Sequence, residues 1–134
     1  SIVRLAACLN LKVHIIEPCG FNINDSRFKR VVMDYTKLTK IIRYQDFEQF
    51  KNSNLKSRII LMTTKAKKDY YKFKFKKDDI LLFGRESAGV PPEIHKKLLI
   101  KLKVPLSRKA RSLNVAIAAA IVSAEAMRQN NYFK

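Results

Sequence analysis

The chain has no tryptophan, only three glycines and four prolines, and two cysteines in 134 residues. So little glycine excludes a collagen-like or glycine-rich low-complexity chain. Cys8 and Cys19 cannot build a disulfide framework, and A-A-C-L and E-P-C-G are not metal-ligand spacings. Reduced thiols in a cytoplasmic protein are the expectation, with no metal. The two histidines, His14 and His95, fall within a strand-like run and a short helix and read as structural rather than catalytic. Long apolar runs are missing too. The longest, Val115 to Val122, has eight residues, against the roughly 18 that a membrane-spanning helix needs. The first ten residues lack the basic lead and cleavage site of a signal peptide.

The scarcest feature is negative charge. Eleven Asp and Glu stand against 28 Lys and Arg, for a net charge of +17. A soluble small domain needs a net charge of only about 2 to 8, so a polyanion is the natural partner: RNA, DNA or an anionic membrane. A Lys-, Ile- and Asn-rich composition also fits a proteome-wide bias. The apolar fraction of 47% is ordinary for a globular chain, and the length suits one domain over residues 1–134.

Along the chain, 1–10 reads as a helix stopped by Asn10, and Leu11–Ile16 as a buried strand ended by Glu17, Pro18 and Gly20. Asp25 and Ser26 can cap a short helix through Val32. Leu38–Arg43 is strand-like, Asp46–Lys51 a short helix and Arg58–Thr63 a buried strand. Asp79–Phe83 is a third strong strand and runs into Gly84. Pro91 and Pro92 open a helix through Lys97. Leu99–Val104 alternates as a half-exposed or edge strand does, and Ser112–Gln129 is one long helix. Strands alternating with helices predict an α/β fold with a mostly parallel sheet and helices on both faces. From Val115 to Val122 the last helix is apolar all the way round, which predicts that one side covers the sheet and the other a second copy of the chain. Lys65–Lys77 interleaves seven lysines with four aromatics. It fits an RNA-contacting face and, equally, a plain strand with one buried side.

Three segments can carry chemistry. Leu81–Pro91, L-L-F-G-R-E-S-A-G-V-P, puts Gly84 at a strand end, where glycine lets a ligand approach the backbone closely, with Glu86 and Gly89 following. Val104–Asn114, V-P-L-S-R-K-A-R-S-L-N, is a basic loop into a helix start. Ser112 or Asn114 can cap that helix, with Arg108, Lys109 and Arg111 near its positive end. Arg4 is the one charge in the first eleven residues, either a surface residue or an anchor reaching into a site.

F-G-R-E-S-A-G-V-P with S-L-N at 112–114 resembles two of the three signature motifs of the SPOUT RNA methyltransferases. S-I-V-R at 1–4 is similar to the tail of the first motif, an Asn-x-Gly turn followed by a helix carrying an Arg. H-I-I-E-P-C-G-F, D-S-R-F-K-R-V-V-M-D-Y and L-M-T-T-K narrow the likeness to the small SPOUT enzymes that methylate the ribose 2′-oxygen of the tRNA wobble nucleotide, cytidine or uridine 34. The chain begins past the Asn-x-Gly turn, so the expectation is that the family's first strand and loop are missing from it. Its 106–111 loop departs from the wobble enzymes' Pro-Asp-Ser-Arg type, which leaves an rRNA target open.

The resemblance implies a trefoil-knotted C-terminal fold that binds S-adenosylmethionine against three backbone loops. By motif match, the cofactor-binding positions are Met62, Thr63, Gly84, Gly89, Val104, Leu106, Ser112 and Leu113. It implies Arg4 and Glu86 as the catalytic pair. A guanidinium stays protonated in proteins, so Arg4 is expected to orient the 2′-hydroxyl rather than to act as a free base. Substrate RNA is expected at Arg27, Lys29, Arg30, Arg108, Lys109, Arg111 and Asn114. A tRNA methyltransferase working as a homodimer through the C-terminal helix follows. Its rivals are an rRNA enzyme of the same fold and a non-catalytic RNA-binding module.

Overall fold

The computed structural model describes residues 2–17, 26–35, 37–85 and 89–132. The expected roles of Glu86, Cys19 and the Asp25 cap lie outside these residues. The chain divides into two compact units, 1–55 and 56–134.

The first unit opens with helix α1, Ile2–Leu9, which buries Val3 and Ala6 and leaves Arg4 and Cys8, one turn apart, exposed. Asn10 ends it as expected. It takes a left-handed φ of 55°, Leu11 N donates to Ala6 O at 2.8 Å and Asn10 N to Ala7 O at 3.4 Å. This is a Schellman stop, with asparagine in the place glycine usually holds. Strand β1, Val13–Ile16, then pairs in parallel with β2, Ile41–Tyr44, with Val13 opposite Ile41. The strand expected from Leu38 starts three residues later. Leu38 and Thr39 N–H groups are taken by Tyr35 O in the turn that closes helix α2, Ser26–Tyr35. Helix α3, Phe47–Ser53, is capped by Asp46, whose Oδ1 accepts from Gln49 N at 2.8 Å. It delivers Phe47 and the fully buried Phe50 to the core.

His14 is structural. Its Nδ1 is 2.9 Å from the Tyr44 hydroxyl, and its ring stacks on Tyr44 and meets Phe50 edge-on. Asn54 Nδ2 donates to the same hydroxyl at 3.3 Å, which leaves the phenolic proton for a neutral imidazole. Burial, with Lys12 and Lys40 nearby, lowers the His14 pKa.

The second unit holds a four-stranded, wholly parallel sheet in the order β4-β6-β3-β5. The strands are β3 (Ile59–Met62), β4 (Lys68–Asp69), β5 (Ile80–Phe83) and β6 (Ile100–Lys103). Ile59 faces Ile80 in register, and Ile60 faces Ile100. The α/β class and the parallel pairing expected from the sequence hold. Leu99–Val104 read as a half-exposed or edge strand, and the first alternative holds: β6 is part-buried but interior, and the apolar β5 is at the edge. Two residues of β4 suffice to cover β6, and its alternation reflects one buried face carrying Leu102, not an open edge. Ile60, Leu102 and Val122 are fully buried and form a core with Met62 and Phe75.

Helix α4, Pro92–Lys97, follows Pro91 at the cap. Helix α5, Val115–Gln129, starts at Asn114, whose Oδ1 accepts from Ala116 N at 2.8 Å. Of the two caps the sequence allowed, Asn114 is used. The helix buries Ala119, Val122, Ser123 and Met127. Its other side stays open in the single chain: Ile117 is 54% exposed and Ala124 is also exposed.

The segment K-F-K-F-K forms no strand. Residues 70–72 make a single 3-10 turn, and Phe73 and Phe75 follow in irregular backbone. Helix α5 supplies the missing strand partners from its side chains. Phe75 N donates to Gln129 Oε1 at 2.8 Å, Gln129 Nε2 donates to Phe73 O at 3.0 Å, and Asn130 Nδ2 donates to Phe75 O at 3.3 Å. Glu125 holds Gln129 from behind at 2.9 Å, and Arg128 and Gln129 together draw its carboxyl down to about 2. Arg58 fastens the other end. It donates to both Asp79 oxygens, at 2.8 and 2.6 Å, and to Lys74 O at 3.2 Å, over the Phe73 ring.

Candidate active site

Strands β6, β3 and β5 are neighbours and parallel, so their carboxyl ends open on one edge of the sheet. Thr63, Gly84 and Val104 are the first residues past those ends. An open α/β sheet binds ligands at this edge. A cleft of about 310 Å³ lies there, at the lower end of the range of small-ligand sites.

Each wall follows from local chain chemistry. After β3, Thr63 N continues the ladder to Leu102 O at 2.9 Å. The backbone then turns: Lys65 N donates to Thr63 Oγ1 at 3.2 Å and Ala66 N to Thr63 O at 3.2 Å. This sets Met62, Thr63, Thr64 and Lys65 along one side. After β5 the loop folds back on itself, with Gly89 N donating to Arg85 O at 2.8 Å. Gly84 permits this closure, because a Cβ there would sit 2.4 Å from Val90 N and 2.5 Å from Gly89 C. Gly89 has φ +68°, where L side chains are strained. After β6, the 104–114 loop brings Val104, Leu106, Ser112 and Leu113 to the cleft, and the first turns of α5 add Val115 and Ala118.

All eight positions that motif matching picked for the cofactor therefore line this one cleft. The sequence reading missed Thr64, Lys65, Phe83, Arg85, Val90, His95, Val115 and Ala118. His95, read from the sequence as structural, is the notable one. Its backbone N–H joins the first turn of α4 through Pro91 O at 3.0 Å, and it lines the cleft with Nε2 buried and without a hydrogen-bond partner among the described residues. A lone histidine on a six-residue helix gave no signal for this.

Arg108, Lys109 and Arg111 are exposed on the loop before α5, beside a turn in which Ala110 N donates to Ser107 O. Asn114, also exposed, spends its side-chain oxygen on the helix cap. Arg4, Arg27, Lys29 and Arg30 are exposed and belong to the first unit. Among the described residues, no group of three or more His, Cys, Asp or Glu is placed to hold a metal ion, and no helix is long and apolar enough to cross a membrane.

A parallel α/β sheet with a mostly apolar cleft at its strand ends defines a small-ligand-binding protein of the open-sheet class. The model of the SpoU rRNA Methylase family matches residues 1–124, and the chain belongs to that family. It is 44% identical over 131 residues to a tRNA (cytidine(34)-2'-O)-methyltransferase of Beijerinckia indica, covering 96% of this chain and 82% of that one. A solved structure described as giving insight into the 2-OH methylation of C/U34 on tRNA superposes with a TM-score of 0.87 at 31% identity, over 97% of this chain and 86% of the other. The SpoU methyltransferase AviRb of Streptomyces viridochromogenes, in complex with AdoMet, shares the fold at a TM-score of 0.84 and 20% identity, over 97% of this chain and 54% of that one.

Proposed function

We propose that this chain is a tRNA ribose 2′-O-methyltransferase that takes its methyl group from S-adenosylmethionine and acts on the wobble nucleotide, position 34. One observation carries this: the eight motif positions scattered over 62–113 meet in one cleft at the strand ends. The homologue from Beijerinckia indica and the structure concerned with C/U34 support the tRNA target.

The cleft fits the cofactor. Met62, Val104, Leu106 and Leu113 offer an apolar slot for adenine, and Gly84 and Gly89 line the same cleft. Ser112 adds a hydroxyl, and His95 Nε2, without a partner among the described residues, adds a polar atom. When bound there, the cofactor supplies an electrophilic methyl on a sulfonium. The chain's own contribution is to hold the ribose in line and to exclude water, which accounts for much of the rate in reactions of this kind. Arg4 orients the 2′-hydroxyl, steadies the negative charge that grows on its oxygen and relays the released proton to bulk solvent. Glu86 is the second catalytic residue of this reading. Arg27, Lys29, Arg30, Arg108, Lys109, Arg111 and Asn114 face the RNA.

This reading treats residues 1–134 as one methyltransferase domain of a cytoplasmic protein. It includes the trefoil knot, which is supported by the likeness to the solved structure concerned with C/U34 methylation. It also includes a homodimer built on the open side of α5, where Ile117, Ile121 and Ala124 make an apolar stripe at helical spacing.

Calorimetric titration with S-adenosylhomocysteine and ribose-methylation mapping of tRNA test the proposal. Binding is expected in both the natural chain and Arg4→Ala, with turnover lost by about 100-fold or more in the variant. Absence of any heat would leave a non-catalytic RNA-binding module, and a methyl found on rRNA would transfer the activity to that substrate.

A further inference from the structure

All seven lysines between Lys65 and Lys77 are exposed. The aromatics among them part ways. Phe75 is only 3% exposed and sits in the core, and Tyr70 and Phe73 pack against that core. Tyr71 alone turns outward, 52% exposed, edge-on to Tyr70 at 5.6 Å. Its hydroxyl donates to Asp69 Oδ2 at 3.1 Å, which fixes the ring's orientation. Of the nearby acids, Asp69 is engaged by Tyr71, and Asp79 by Arg58 and by Lys76 N at 2.7 Å, while Asp78 is exposed next to Lys77. Lys72, Lys74 and Lys76 are each exposed, next to the inward Phe73 and Phe75. The backbone beneath them is pinned by Gln129, Asn130 and Arg58. The ridge begins at the cleft itself, because Lys65 is part of the cleft wall.

We propose that this ridge docks unpaired RNA leading out of the cleft, with Tyr71 stacking on a base and Lys72, Lys74 and Lys76 neutralising the phosphates beside it. The proposal rests on the RNA-methyltransferase reading and adds to it where the substrate strand lies. Every base has a π-face, so one outward ring suits single-stranded RNA, whereas a duplex hides its bases. A pinned ridge loses little entropy when it binds. An anionic membrane fits less well, because membrane-surface segments insert Phe or Leu side chains and here both phenylalanines are spent on the core.

The test uses the full chain, a triple Lys72→Ala/Lys74→Ala/Lys76→Ala variant, Tyr71→Ala and Tyr71→Phe, with an unmodified tRNA anticodon stem-loop as the probe. Three lost phosphate contacts are expected to flatten the slope of log affinity against log salt by about 2 to 3. Tyr71→Ala is expected to weaken RNA binding by about 5- to 150-fold, the range for one stacked base, and Tyr71→Phe to keep it. S-adenosylhomocysteine affinity is expected to stay unchanged in all three variants. RNA affinity and salt slope equal to those of the natural chain would overturn the proposal while leaving the methyltransferase reading standing; failure of the natural chain to bind S-adenosylhomocysteine would sink the latter instead. Equal losses in Tyr71→Phe and Tyr71→Ala would refute stacking. A triple variant that loses binding only to phosphatidylserine vesicles would assign the ridge to a membrane.

Discussion

Replacing Gly84 with alanine adds one methyl group at the point where the 84–90 loop closes on itself. The new Cβ would lie 2.4 Å from Val90 N, 2.5 Å from Gly89 C and 2.8 Å from Gly89 Cα. An ordinary contact needs at least about 3.4 Å, and every neighbour is backbone, so no side chain can swing away. The returning strand of the loop must retreat by about 1 Å. Overpacking of this kind costs about 1–3 kcal/mol. If the loop relieves that strain by opening, the fraction of molecules with a formed cleft falls by the same free energy, and apparent cofactor affinity falls about 5- to 150-fold. Gly89→Ala is the internal control. Nothing lies within 4 Å of its Cβ, so only the left-handed φ is penalised, by about 1–2 kcal/mol in the loop. Calorimetry with S-adenosylhomocysteine on both variants, alongside urea unfolding, gives the comparison. Gly84→Ala is expected to lose clearly more affinity than Gly89→Ala. Gly84→Ala affinity within twofold of the natural chain would refute the claim that this closure shapes the cleft.

The lowered His14 pKa makes the first unit sensitive to acid. The unfolded chain binds the proton more readily, so stability is fully present above the ordinary value of 6.5 and is lost as pH falls through the lowered folded value. Urea midpoints at about pH 5 and about pH 8 are expected to differ by less in His14→Phe than in the natural chain, and an unchanged difference would show that other groups carry the acid limb. For the dimer, Ile117→Glu is the clean probe because Ile117 is exposed and the single chain tolerates the charge. Sedimentation is expected to change from dimer to folded monomer, and a natural chain that sediments as a monomer at micromolar concentration would dismiss the interface.

Much of the organisation was legible along the chain because local chemistry decides it. Apolar β-branched runs became strands, Asn10 stopped α1, Asp46 and Asn114 capped their helices, and Gly84 ended β5. The +17 charge and the motif residues are properties of sequence alone. Which strand lies beside which was not legible. The interior place of β6 depends on a two-residue partner, β4, that carries no strand pattern of its own. The 73–77 segment alternates as a strand does, yet its hydrogen bonds go to Gln129 and Asn130, more than fifty residues away. No window of local sequence contains that pairing. The same holds for the cleft. Its glycines, hydroxyls and apolar residues are spread over 62–118, and only parallel pairing of β3, β5 and β6 brings their ends to one edge. His95 shows the limit most plainly: a residue of a short helix in sequence, it lines the site because the fold brings the start of α4 to the strand ends.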